Sequence, residues 1–167
     1  MLVYLDSSAI VKRYIGEAGS ESLDFLYGEL ERAEGAYELV LIFSSWNLGE
    51  VFGAIDGRQQ RGDIDKKSMN EALSLFSRET KKFVAMRKVN VLPIGSRVLS
   101  RSRELTLKYH IYEADALQLA SAEQLQAKLF VCADRKLIDC AKSEQMDAMN
   151  PEKDYDKIRG AVTALRE

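Results

Sequence analysis

Four acidic residues stand where carboxylates from distant parts of this chain could share one site. They are Asp6, Glu50, Asp115 and Asp134. Asp115 lies near the start of an alanine-rich helical segment, YEADALQLASA, at residues 112–122. Carboxylates that meet raise one another's pKa unless a cation neutralises them, and Mg²⁺ prefers such oxygen ligands. The chemistry that this set would support is metal-assisted hydrolysis of a phosphodiester.

The composition excludes some other kinds of catalytic or metal site. The chain has one histidine, so paired-histidine acid–base chemistry and a multi-histidine zinc site are excluded. Its net charge of -2 neither indicates nor excludes a protein that binds nucleic acid. Cys132 and Cys140 show no framework spacing, which predicts reduced, structural thiols.

Continuous apolar runs predict the strands that would position these acids. Such runs are typical of parallel strands that are buried on both faces. The predicted strands are Leu2–Leu5, Leu39–Phe43, Val89–Ile94 and Leu129–Ala133, with a short fifth strand within 146–149. The first ends directly before Asp6 and the fourth directly before Asp134.

Helical periodicity fills the segments between the strands. The predicted helices cover about 9–14, 20–32, 45–62, 65–86, 96–109, 112–127 and 135–143. This alternation predicts a three-layer α/β/α sandwich with a mainly parallel central sheet. In such sheets, sites form beyond the carboxyl ends of the strands. We therefore expect Asp6 and Asp134 at that edge, with Glu50 and Asp115 joining them from the starts of helices.

Each acid also has a purely structural interpretation. Asp6 and Asp134 could be N-caps of the helices that follow them. Glu50 could close a capping box with Asn47, and Asp115 could complement a helix dipole. The sequence leaves these alternatives open for each residue taken alone. The structural interpretations are less convincing for the four acids taken together, because all four fall at one predicted edge of the sheet.

Several stretches together resemble one known family. They are YLDSSAIVKRY, SSWNLGEVFGAI, YEADALQLASA, LFVCADRKLIDCA and MNPE, in this order along residues 1–152. The chain resembles PIN-domain proteins, in particular the VapC-type toxins of prokaryotic toxin–antitoxin pairs. The family's metal-site acids fall on Asp6, Glu50, Asp115 and Asp134, and its hydroxyl after the first acid falls on Ser7.

The resemblance implies a Mg²⁺- or Mn²⁺-dependent endoribonuclease. It also implies a homodimer that a small cognate antitoxin protein holds inactive. Arg135 follows Asp134 directly, where it could meet the phosphate backbone of RNA. Two residues depart from the family pattern: Cys132 replaces a hydroxyl residue, and Gln118 stands where histidine is common.

The same matches predict the domain organisation. Residues 1–152 are expected to form the PIN-like nuclease domain, and 153–167 a C-terminal helical extension with Tyr155, Ile158, Val162 and Leu165 on its apolar face. No membrane-spanning run and no basic, signal-like start is present, which predicts a cytoplasmic protein.

Two other functions compete with the nuclease. A non-catalytic PIN-like module would keep the fold and bind RNA or protein while binding metal poorly. A metal-dependent phosphatase, or a phosphoacceptor with Asp6 as the acceptor, would use a related α/β sheet. The spacing of the acids fits this last class poorly.

Overall fold

The computed structural model describes residues 1–32 and 39–164. Within them lies one five-stranded sheet whose strand pairs are all parallel, in the order β3-β2-β1-β4-β5. The strands are β1 (Leu2–Leu5), β2 (Val40–Ser44), β3 (Val89–Leu92), β4 (Leu129–Val131) and β5 (Ala148–Met149). The predicted sheet is confirmed, and it is wholly rather than mainly parallel.

The helices of the described residues cover both faces of this sheet. They are α1 (Ser7–Lys12), α2 (Ser20–Arg32), α3 (Ser45–Gln60), α4 (Lys66–Ala85), α5 (Ser96–Tyr109), α6 (Glu113–Gln124), α7 (Arg135–Ser143) and α8 (Tyr155–Thr163). No helix within 1–32 and 39–164 is long and apolar enough to cross a membrane.

Alternate side chains of the central strand β1 enter two separate cores. Val3 and Leu5 join the core beneath α1–α4 and α8, whereas Tyr4 joins the core beneath α5–α7. All three side chains are fully buried. A strand with helices on both faces has no polar face, which explains its unbroken apolar run.

Helix α6 packs close to the sheet because its side chains are small. Ala114, Ala116, Ala120 and Ala122 are all buried, and α6 contacts both α5 and β2. A helix buried on nearly all sides needs small residues to approach its neighbours closely. This packing carries Asp115 to the carboxyl edge of the sheet.

The C-terminal segment forms a helix, as its periodicity predicts; the pattern left open docking on this chain or on a partner, and the helix packs on this chain. Ile158 and Val162 of α8 are fully buried in the core that α2 also covers, and the ring of Tyr155 meets that of Phe25 edge-on. Leu165 lies outside the described residues, and the domain boundary at residue 152 remains a prediction.

Candidate active site

Two of the acids follow neighbouring strands at the carboxyl edge of the sheet. Asp6 comes directly after β1 and Asp134 three residues after β4. The Asp6 N–H donates to the carbonyl of Val131 at 3.0 Å, which extends the ladder between the two strands. The chain segments that carry these acids are therefore held together by the sheet itself.

Asp6 is buried and hydrogen-bonded. Its side chain is 6% exposed, and its Oδ2 accepts from the backbone N–H of Ser8 at 3.0 Å and from the Ser8 hydroxyl. Burial raises the pKa of Asp6, and the charge of Glu50 adds to this, while the Ser8 and Cys132 hydrogen bonds oppose it. Asp6 is the N-cap of α1, so its structural interpretation holds as well.

Cys132 lies between the two strand-end acids. Its Sγ is 3.4 Å from Asp6 Oδ2 and accepts from the Asp134 N–H at 3.2 Å. Burial, followed by the charge of Asp6, raises the pKa of this thiol well above its usual value, so it is neutral at pH 7. The sulfur therefore contacts the carboxylate of Asp6 and the backbone of Asp134.

Asp134 lies on the exposed side of the site. Its Oδ1 accepts from the Leu137 N–H at 2.9 Å and caps α7. The neighbouring Arg135 is exposed, and its side chain has no hydrogen bond or ion pair with the described residues. A free guanidinium beside the acids is available to a phosphate group.

Glu50 is half-buried and held by two donors from other elements. Its Oε2 accepts from Ser7 Oγ and from Gln118 Nε2, each at 2.6 Å. The capping box at the start of α3 consists of Ser44 and Asn47, so Glu50 takes no part in it. The capping interpretation of Glu50 is therefore wrong.

Asp115 shows that the four acids share one electrostatic site. Its pKa is raised to about 6, chiefly by burial and then by the charges of Asp6, Asp134 and Glu50, which Lys136 only partly offsets. Its carboxylate makes no hydrogen bond or ion pair with the described residues. A partly buried carboxylate among three others is stabilised by a cation.

The donor set suits a hard divalent ion. Its members are carboxylate oxygens, which Mg²⁺ and Mn²⁺ favour. As the side chains lie, no three acids, histidines or cysteines of residues 1–32 and 39–164 converge tightly enough to hold an ion. The residues therefore fit an ion bound by one or two carboxylates with water completing its coordination, as is common for Mg²⁺.

A groove of about 540 Å³ runs from Glu50 along α3. Ser7 and Glu50 line one end, and Arg58 and Arg61 the other. Between them lie Gly53, Ala54 and Gly57, whose small side chains leave the groove open. Both arginines are ion-paired, Arg58 with Glu17 and Asp63 and Arg61 with Asp63, so their charge is partly neutralised and the groove is not strongly basic.

Sequence reasoning missed the supporting roles of Tyr4 and Asn47, which hydrogen-bond to each other, with Asn47 also donating to Ser7. The hydroxyl of Ser8 donates to Asp6, as expected of a hydroxyl that follows the first acid. The spacing of Ser44 and Asn47, three residues apart after a strand, was the available signal for Asn47. Tyr4 gave no signal, since a tyrosine in an apolar run is typical of core packing.

Comparison with known proteins agrees with the fold and the order of the motifs. The family model described as the PIN domain matches residues 3–143. A search among curated proteins found no match.

Solved structures of similar fold cover most of the chain. PAE2754 from Pyrobaculum aerophilum has a TM-score of 0.61 at 16% identity and covers 96% of both chains. VapBC-1 from nontypeable Haemophilus influenzae has a TM-score of 0.55 at 15% identity, covering 92% of this chain and 100% of the other. VapC20 from Mycobacterium tuberculosis, a toxin that cleaves the sarcin-ricin loop, has a TM-score of 0.56 at 14% identity, covering 81% and 92%. Identities this low show the fold alone. Because the family model spans most of its length, this chain belongs to the PIN-domain family.

Proposed function

We propose that this chain is a Mg²⁺- or Mn²⁺-dependent endoribonuclease, the toxin of a VapBC-type toxin–antitoxin pair. The observation that carries the proposal is the meeting of the acids at the carboxyl edge of the sheet, where Cys132 Sγ contacts both the Asp6 carboxylate and the Asp134 N–H; the charges of Asp6, Asp134 and Glu50 add to burial in raising the pKa of Asp115. Four carboxylates that repel one another favour a divalent ion. When bound, such an ion supplies a Lewis acid that activates water and neutralises charge on a phosphoryl group.

Each acid and its neighbours would then have a separate role. Asp6 and Asp115 would hold the ion, and Glu50 and Asp134 would assist directly or through water. Ser7 donates to Glu50 at 2.6 Å and so positions it. Arg135, exposed beside Asp134, would bind a phosphate of the RNA next to the bond that is cleaved.

RNA cleavage by the purified protein tests this proposal. Structured RNA, such as a transfer RNA transcript, is incubated with Mg²⁺ or Mn²⁺, with and without EDTA. We expect cleavage that EDTA abolishes and that Asp115→Asn lowers by about 100-fold or more. The matched control is Asp156→Asn, an exposed acid of α8, which should cleave like wild type. Cleavage that persists in both EDTA and Asp115→Asn would exclude the mechanism.

The proposed partners are a cognate antitoxin and a second copy of the chain. The likeness to VapC-type toxins supports both, and the presence of VapBC-1 among the structural neighbours supports the antitoxin. Induced expression should arrest growth of a bacterial host, and co-expression of a short reading frame adjoining the gene should restore it. Light scattering of the purified protein should give the mass of a dimer; a monomer would contradict the second assignment.

A non-catalytic PIN-like module is the alternative function. It is favoured by the absence, within 1–32 and 39–164, of three ligating side chains close enough to hold an ion. Calorimetry with Mn²⁺ separates the two functions. Binding that Asp6→Asn or Asp115→Asn abolishes supports the nuclease, whereas no acid-dependent binding supports the module.

A further inference from the structure

Three buried polar residues form a hydrogen-bonded cluster behind Glu50. Tyr4 and Asn47 are fully buried and Gln118 is 1% exposed. The hydroxyl of Tyr4 lies 2.8 Å from Gln118 Oε1 and 3.1 Å from Asn47 Oδ1, and Asn47 Nδ2 donates to Gln118 Oε1 at 2.8 Å. We call these three residues the amide cluster.

A backbone group fixes the orientation of both side-chain amides in the amide cluster. The N–H of Ser44 can only donate, and it lies 2.7 Å from the Asn47 side-chain oxygen, Oδ1. Asn47 must therefore turn its NH₂ group toward Gln118, which must accept with Oε1. The NH₂ group of Gln118 is then left facing Glu50.

Two branches of this arrangement end on the same oxygen of Glu50. In one, Gln118 Nε2 donates to Glu50 Oε2 at 2.6 Å. In the other, Asn47 Nδ2 donates to Ser7 Oγ at 2.9 Å, and Ser7 Oγ donates to Glu50 Oε2 at 2.6 Å. Glu50 Oε1 has no hydrogen bond with the described residues.

We infer that the amide cluster positions Glu50 by holding Oε2 and leaving Oε1 available to a divalent ion. The inference rests on the proposed function, which supplies the ion. Burying polar groups in a core is costly unless each is satisfied. Tyr4, Asn47 and Gln118 satisfy one another, and their remaining donors all lead toward Glu50. Groups of this kind behind a metal ligand typically change metal affinity by 10–100-fold.

Calorimetry with Mn²⁺ alone, without RNA, tests the inference. The variant is Gln118→Met, which keeps the length of the side chain and removes both polar atoms. We expect it to bind Mn²⁺ at least about 10-fold more weakly than wild type. Gln118→His, whose ring N–H can donate to Glu50, should recover much of the loss. Gln124→Met, an exposed glutamine on the same helix, should bind like wild type.

The outcomes separate this inference from the proposed function. Wild-type affinity in Gln118→Met would overturn the inference and leave the nuclease standing, since the cluster would then be only structural. No Mn²⁺ binding by the wild type would overturn both. In RNA cleavage, Gln118→Met should lower kcat while KM for RNA stays unchanged, because Glu50 serves the ion.

A second variant covers the case in which Gln118→Met does not fold. Tyr4→Phe removes only the hydroxyl at the inner end of the cluster and keeps the ring that stacks on Phe130 at 5.6 Å. It should fold and bind Mn²⁺ more weakly than wild type. Wild-type Mn²⁺ affinity in Tyr4→Phe, with Gln118→Met unfolded, would overturn the inference.

Discussion

Replacing Asp115 by asparagine should stabilise the metal-free protein at neutral pH. Asparagine has nearly the shape of the protonated acid and carries no charge. The rise in the pKa of Asp115 from 3.8 to about 6 corresponds to ~3 kcal/mol at about 1.4 kcal/mol per pH unit. Solvent screening of this partly exposed group reduces the expected gain in unfolding free energy to about 1–2 kcal/mol.

The sign of the effect follows from proton linkage. Because the folded-state pKa is raised, the native protein binds this proton more tightly than the unfolded chain does. The resulting stability is fully present below about pH 4 and is lost as the pH rises through about 6. The advantage of Asp115→Asn should therefore be greatest at pH 7.5 and shrink toward zero at pH 4.

Urea unfolding in EDTA measures this difference directly. At pH 7.5 the gain corresponds to a rise in Tm of about 2–8 °C for a chain of this size. Saturating Mn²⁺ should reverse the order, because only the wild type keeps the full acid set. Asp156→Asn should change stability little at either pH. Equal or lower stability of Asp115→Asn in EDTA at pH 7.5 would refute the idea that the four acids repel one another.

Three further predictions concern the packing around the site. Gly19→Ala should destabilise the fold by roughly 1–3 kcal/mol, because Gly19 has φ +88° and a Cβ there would lie 3.0 Å from the backbone that leads into α8. Thermal unfolding should show a lower Tm for this variant. Gly28→Ala, a control in α2 with open space around it, should instead raise the Tm. Ile158→Ala should lower the free energy of unfolding by about 2–5 kcal/mol, because the side chain is fully buried. A decrease below about 1 kcal/mol in urea unfolding would show that α8 is not docked. Cys132→Ser should bind Mn²⁺ more tightly than wild type in calorimetry. The reason is that a hydroxyl donates a hydrogen bond to Asp6 more strongly than a thiol does. Weaker Mn²⁺ binding by Cys132→Ser would contradict this explanation.

The strands were predictable because burial on both faces leaves a simple pattern. Leu2–Leu5 is uninterrupted and ends at an acid, and the structure has β1 at those residues. Helix boundaries differ from the predicted ones where a capping hydrogen bond sets them. Helix α1 begins at Ser7 rather than at the predicted Ala9, because the Asp6 side chain accepts a hydrogen bond from the Ser8 N–H. Local hydrogen bonds of this kind leave little trace in hydrophobic periodicity.

The site was predictable in its acids and in the serine hydroxyls that follow Asp6, but not in the contacts that hold it together. Strand ends and helix starts at one edge pointed to all four carboxylates, and their catalytic role remains a prediction. Their support was not predictable, because it joins distant segments: Ser7 lies 43 residues from Glu50, and Gln118 lies 68 residues from it. Nor does sequence spacing say whether side chains at one edge approach closely enough to share an ion.

The central position of β1 in the sheet affects how the chain folds during synthesis. Val3 pairs with Leu41 on one side and with Leu129 on the other, so the second neighbour of the central strand emerges from the ribosome late. Pairings this distant in sequence form slowly, since a long loop must close first. Until β4 arrives, Asp6 lacks Asp134 beside it, because Asp134 follows β4 in the chain. Under the proposed ribonuclease function, that delay would leave the acid set incomplete while the chain is still on the ribosome and its message.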